Sequence, residues 1–204
     1  MSKAEKKRRV SAMLSKWAID ETITGDDDTY LQELIRSHPD YPQKFHDGVA
    51  RFFVGIAYPY KGRCFCFEAH NGVVDNFGTT WCIDGKPPLR GRLLMACRDA
   101  IRGDMHAHKR EYFGGRLTVP CEASGQVLAW NEAHVDHIAP FVALAGEWLD
   151  GQSLTLSDLA PDTPGSVGDR FSDRGVAEMF RRHHLEVASL RVVSAPINMA
   201  KGAR

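Results

Sequence analysis

The sequence predicts an α+β fold, with a small curved sheet and a packed helix first and a hairpin with further helices after it. Three observations predict it. Residues 49–57 are rich in Val, Phe and Ile, and residues 63–69 alternate as Arg-Cys-Phe-Cys-Phe-Glu-Ala; both read as strands. Asn71-Gly72 follows the second run and is a strong turn signal. Two stretches carry apolar residues at helical spacing instead: Val10, Met13, Leu14 and Trp17, then Leu93, Leu94, Cys97 and Ile101.

Taken in order, residues 3–19 predict a basic helix. Asp28 or Thr29 caps a short second helix that stops near Ser37, because Pro39 disfavours a helical residue before it. The strands at 49–57 and 63–69 follow, with a third expected over 78–83. Pro87-Pro88 breaks the chain, and a helix runs from Leu89 to about His106. Gly114-Gly115 marks a seam between two domains. Residues 116–138 read as a β-hairpin turning at Ser124-Gly125, followed by a helix over Phe141 to Leu149. Residues 150–169 are rich in Asp, Pro, Gly and Ser and read as a loop. Helices are then expected over Ser172 to Ala188 and from Pro196, where proline suits a helix start. These divisions give a basic helical segment over 1–44, an α+β domain over 45–113 and a second domain over 114–204.

The bulk numbers are those of a soluble globular chain: 204 residues, 43% hydrophobic, 25% charged. No apolar run is long enough for a membrane helix, and the basic start lacks the core of a secretory signal. The expected location is therefore the cytoplasm or a nucleoid or organelle interior, not the outside of the cell. Five cysteines without a CxxC pair read as reduced thiols rather than a disulfide framework. Zero net charge argues against a protein that coats nucleic acid, though a local basic face remains open. The oligomeric state is not legible.

The string that carries chemistry is Cys121-Glu-Ala-Ser-Gly125, then Glu132-Ala-His134-Val-Asp136-His137-Ile-Ala-Pro140. It pairs with Leu190-Arg-Val-Val and with Asn198-Met-Ala-Lys201-Gly202 near the end of the sequence. A hard cation such as Mg²⁺ takes oxygen ligands and keeps several waters, which a carboxylate and an amide oxygen suit. A neutral imidazole, with its pKa at about 6.5, is a good base at neutral pH. Neighbouring side chains on a strand point to opposite faces, so Asp136 and His137 serve one site only if the chain bends there or leaves the strand.

These elements resemble the HNH, or His-Me finger, endonucleases. The resemblance implies a ββα-metal finger with inserted helices over 114–204. It implies His137 as general base, and Asp136 and Asn198 as catalytic residues that hold one Mg²⁺ or Mn²⁺. Lys201, Arg191 and His134 are the residues expected to meet substrate. The implied activity is metal-dependent hydrolysis of nucleic-acid phosphodiesters, with DNA rather than RNA as partner and no membrane. The alternative is a non-catalytic nucleic-acid-binding or RNA-processing module on the same scaffold. Ser189 stands where many members carry a bracing Asn, and the CxxC pairs that staple many members with zinc are missing, so no structural zinc is expected. The long stretch between His137 and Asn198 implies an insertion.

Residues from about Gly48 to Ile101 resemble a second family, the DCL-type domain, known mainly as a domain of unknown function. Gly48-Val-Ala-Arg-Phe-Phe-Val, Gly62-Arg-Cys-Phe-Cys-Phe, Asn71-Gly, Asp75, Phe77 and Cys82 carry that resemblance.

Plainer readings stand beside these. His134 is a ligand or phosphate contact, or else packs and hydrogen-bonds. His183 and His184 on a helix read as exposed or as structural hydrogen-bonding groups, and His106 and His108 as complements to a helix dipole. Cys64, Cys66, His70 and Cys82 have weak zinc spacing; the alternation puts Cys64 and Cys66 on one sheet face as small core residues. The arginines of residues 90–110 either contact phosphates or form a solvated helix face. Lys3 to Arg9 is a disordered arm or a DNA-tracking tail.

Overall fold

The computed structural model describes residues 1–57, 62–161 and 168–202, with side chains as far as Ala200. The chain is α+β, built from short antiparallel sheets and helices. It divides into two compact units, one formed by Met1–Pro88 and one by Leu89–Pro161 with the chain from Gly168 onward.

In the first unit, α1 (Lys3–Lys16) starts at a capping box. The Ser2 hydroxyl accepts from the Glu5 amide, and the Glu5 carboxylate accepts from the Ser2 amide at 2.6 Å. Val10 and Met13 are buried, and Leu14 and Trp17 pack beside them, as the helical stripe requires. Helix α2 (Asp26–Ile35) begins after Gly25, not at Asp28 or Thr29. Asp26, Asp27 and Asp28 occupy its first turn, where negative charge complements the helix dipole.

A short α3 (Tyr41–Lys44) leads into the sheet of β1 (Val49–Ala57), β2 (Gly62–Ala69) and β3 (Val74–Asn76), antiparallel in that order. The turn at Asn71-Gly72 is real: Gly72 has φ +82°, and the Asn71 side chain accepts from the Val73 amide. Phe52, Phe65, Phe67 and Phe77 fill the core with Phe45. Since side chains alternate along a strand, Phe65 and Phe67 leave Cys64 and Cys66 on the other face, half-buried. The two cysteines share a face as expected, but they are not core residues.

The strand expected over 78–83 is instead helix α4 (Thr79–Asp84). The ladder ends at Asn76. Cys82 and Ile83 are buried on this helix and join the core of the sheet.

The second unit begins earlier than the Gly114-Gly115 seam. The single helix expected from Leu89 is two, α5 (Leu89–Ala100) and α6 (Arg102–Phe113), broken at Ile101. Helix α5 packs with α7 (Phe141–Asp150) and α8 (Arg174–Val187) around Leu93, Ala96, Cys97, Ala145, Leu149 and Phe180, so burial assigns it to this unit. Strands β4 (Thr118–Pro120) and β5 (Val127–Ala129) form the hairpin, with Gly125 at φ +73° in its turn. Strand β6 (Ala133–His137) does not continue that hairpin but pairs with β7 (Leu190–Ser194). Helix α9 (Ala195–Gly202) follows β7 directly. Val119, Cys121, Leu128, Ala133, Val192 and Val193 form the core under these strands. The expected loop over 150–169 contains a 3-10 turn at Leu156–Asp158 and a bridge from Leu159 to Phe171; its residues 162–167 lie outside those described. No helix among the described residues is long and apolar enough to cross a membrane.

Candidate functional site

The sequence-predicted site residues gather on β6, β7 and α9, a strand, a strand and a helix in sequence order. The Cys121–Gly125 turn anchors them. Glu122 donates its amide to Val192 O at 2.9 Å, and its carboxylate accepts from the Val192 amide. Burial alone would raise the Cys121 thiol. Hydrogen bonds from the Ser124 side chain and from the backbone of Ala123, Ser194 and Ser124 outweigh it and leave the thiol below its usual range. At the other end, the Glu132 carbonyl accepts from the Ala195 amide, tying the start of α9 to the approach to β6.

The β6–β7 ladder is regular. His134 faces Val193, Asp136 faces Arg191 and His137 faces Leu190. Ile138 then donates to Ser189 O at 2.8 Å, so the pairing continues one step beyond the strand. The ladder shows no bend between Asp136 and His137, and His137 is the last residue of the strand. By strand alternation, His134, Asp136 and Arg191 share one face and His137 lies on the other.

On the first face, Asn198 Nδ2 lies 3.3 Å from His134 Nδ1, which brings the first turns of α9 onto the side that carries Asp136. Asp136 is buried, and its Oδ2 accepts from Arg191 Nε at 3.0 Å and pairs with the terminal guanidinium nitrogen at 2.9 Å. Arg191, expected to meet substrate, is thus paired with the expected metal ligand. Lys201 lies on α9, but its side chain is outside those described.

On the second face, His137 Nε2 lies 2.8 Å from His184 Nε2, and the Phe141 ring stands 5.2 Å from the His137 ring. His184 is only 1% exposed. Its imidazole is held below its usual range by burial, against an opposing pull from Asp104 and with a further push down from His183. The sequence reading left His184 between solvent exposure and a structural hydrogen bond. The signal for burial was present: Ala177, Phe180 and His184 repeat at helical spacing on one stripe of α8.

Several cations between residues 90 and 110 already have intramolecular partners. Arg90 pairs with Asp150, Arg92 with Asp169 at 2.6 Å, and Arg102 with Asp99. Arg98 lies over the Phe141 ring, and Lys109 donates to the carbonyls of Trp130 and Ala133.

A divalent metal tests the donor set. Among the described residues, no group of three or more His, Cys, Asp or Glu is arranged to hold a metal ion. One carboxylate and one amide remain, Asp136 and Asn198. That set suits a hard cation that keeps most of its water and does not suit a centre ligated wholly by protein. Arg191 competes for the same carboxylate.

Comparison with known proteins reaches the first unit. Residues 11–83 match the model of DUF3223, a protein family of unknown function. This segment runs from within α1 to within α4 and takes in the whole β1–β3 sheet. No curated protein matches the chain. A solution NMR structure of an uncharacterized protein from Rhodospirillum rubrum aligns with 40% of this chain and 77% of its own, at 27% identity and a TM-score of 0.37.

Proposed function

We propose that the chain is a metal-dependent endonuclease acting on nucleic-acid phosphodiesters, DNA rather than RNA. In this reading His137, the last residue of β6, serves the site from the strand's end as the general base, and Asp136 and Asn198 hold Mg²⁺ or Mn²⁺. The cation, when bound, would neutralise charge developing on the phosphate. The chain's own residues do the rest. His137 accepts the proton of the attacking water. His134 orients the Asn198 amide, and Arg191 meets the substrate phosphates. The observation that carries the reading is the 3.3 Å contact of Asn198 with His134. It puts an amide from α9 on the face of β6 that holds Asp136, one residue from an imidazole at the strand end. The same reading puts the protein where nucleic acid is, in the cytoplasm, nucleoid or an organelle interior.

The test is incubation of the purified chain with supercoiled plasmid in Mg²⁺, Mn²⁺ or EDTA, beside His137→Ala. Metal-dependent nicking by the wild type that the variant loses is the expected result. A second reading is favoured by the Asp136–Arg191 pair, which gives the carboxylate a structural partner: the unit binds nucleic acid without cutting it. A retained gel shift without nicking by the wild type selects that reading.

A further inference from the structure

The His137–His184 contact has features that a packing role leaves unexplained. A nitrogen-to-nitrogen separation of 2.8 Å between two imidazoles is a hydrogen bond that holds one proton between the rings. The rings are steeply inclined, at 77°, with centroids 5.0 Å apart. His184 is 1% exposed, with Phe180 at 6.2 Å centroid to centroid and Asp104 and His183 close enough to act on its charge. Its Nδ1 is buried and has no hydrogen-bond partner among the described residues. A buried polar atom left in this way is uncommon in native proteins, and one recognised setting for it is a catalytic role. A leucine or phenylalanine on the same stripe of α8 would fill the space without the orphaned nitrogen.

We propose that His184 is the positioning residue of His137: through the Nε2–Nε2 hydrogen bond it fixes the ring orientation and the tautomer of the base. This inference rests on the reading of His137 as the base. With Nε2 of His137 engaged by His184, proton acceptance falls to Nδ1. That requires His137 to carry its resting proton on Nε2 and donate it to His184 Nε2, which accepts. A neutral His184 protonated on Nδ1 meets that requirement, whereas the other neutral tautomer would donate from Nε2 and a cationic ring has no lone pair to offer. Its burial favours the neutral ring. As the attacking water loses its proton to Nδ1 of His137, the Nε2 proton stays where it is and the imidazolium remains hydrogen-bonded. No proton enters the buried ring. Orientation of a base by a partner on its second nitrogen is a general device for imidazole catalysis.

The experiment compares the full chain with His184→Phe, which keeps an aromatic ring and loses the bond, and His184→Gln, whose amide oxygen reaches the position of Nε2 as an acceptor. Plasmid nicking in Mg²⁺ gives kcat and KM, gel shift gives affinity, and thermal melting reports folding. His184→Phe is expected to lower kcat about 10-fold or more with KM and gel shift unchanged, and His184→Gln to recover part of the loss. Long-range ¹H–¹⁵N spectra of histidine-labelled protein read the tautomer without reference to activity. His137 should show one Nε2–H form in the wild type and a mixture in His184→Phe. If His184→Phe folds and nicks like the wild type while His137→Ala is inactive, this inference falls and the nuclease reading stands. If the wild type never nicks, the pair is a structural hydrogen bond, and the inference falls with the reading. A wild-type His137 exchanging between tautomers overturns the geometric claim by itself.

Discussion

Asp136 and Arg191 stand directly opposite each other on β6 and β7, with the carboxylate and guanidinium paired at 2.9 Å across the ladder. The Asp136 side chain is 6% exposed and that of Arg191 30%, so the pair is screened on one side only. Removing the cation strands a buried carboxylate, which is costly; water access to the guanidinium side reduces that cost. Arg191→Ala should destabilise the second unit by about 1–3 kcal/mol, read as a lower urea midpoint. Unchanged stability would show that the pair contributes nothing.

The same pair bears on metal binding. If Asp136 holds the cation, Arg191→Ala removes a competitor for its carboxylate. Isothermal titration with Mn²⁺ should then show tighter binding in Arg191→Ala than in the wild type, and none in Asp136→Ala. Equal, weak binding in all three proteins would argue that Asp136 is structural.

His184 makes stability pH-dependent. Burial holds its folded-state pKa below the unfolded value of about 6.5, so the folded state binds fewer protons. Its contribution is present above about pH 6.5 and is lost as pH falls through the folded value. Asp104 on α6 opposes the shift, and His183 on α8 adds to it. The urea midpoint should fall between pH 7 and pH 5, and the fall should be shallower in His184→Phe. Parallel profiles would assign the acid sensitivity to other groups.

In the first unit, Gly55 and Cys66 are coupled by shape. A Cβ on Gly55 would stand 2.5 Å from the Cys66 sulfur, closer than any side chain tolerates. Gly55→Ala should therefore cost about 1–3 kcal/mol through overpacking. The double variant with Cys66→Ala should recover most of it in a double-mutant cycle. Additive losses would mean that the strand relaxes without involving the thiol.

The aromatic core of that unit tests the fold itself. Phe67 is 2% exposed and packs 4.7 Å from Phe45, ring to ring. Phe67→Ala should cost about 3–5 kcal/mol, measured by urea unfolding. A loss below about 1 kcal/mol would mean that the site collapses around the deletion.

Local order was legible in the residues by themselves. The stripe Val10, Met13, Leu14, Trp17, the strands around Phe52 and Phe65, the Asn71-Gly72 turn and the helix after Pro140 all follow from spacing and turn chemistry, which act over a few residues. The grouping of Asp136, His137 and Asn198 rested instead on a family resemblance of the strings that carry them. What the residues could not decide was pairing. Thr79–Asp84 is a helix that packs Cys82 and Ile83 into the core, and that packing is not local. Strand β6 leaves the hairpin for β7, a strand distant in sequence, and nothing within either strand specifies that partner. That pairing sets Asp136 against Arg191, and the packing of α8 sets His137 against His184. A side chain's type limits what it can do. Which charge or ring nitrogen it meets is decided by contacts between segments far apart in sequence, and those exist only in the tertiary structure.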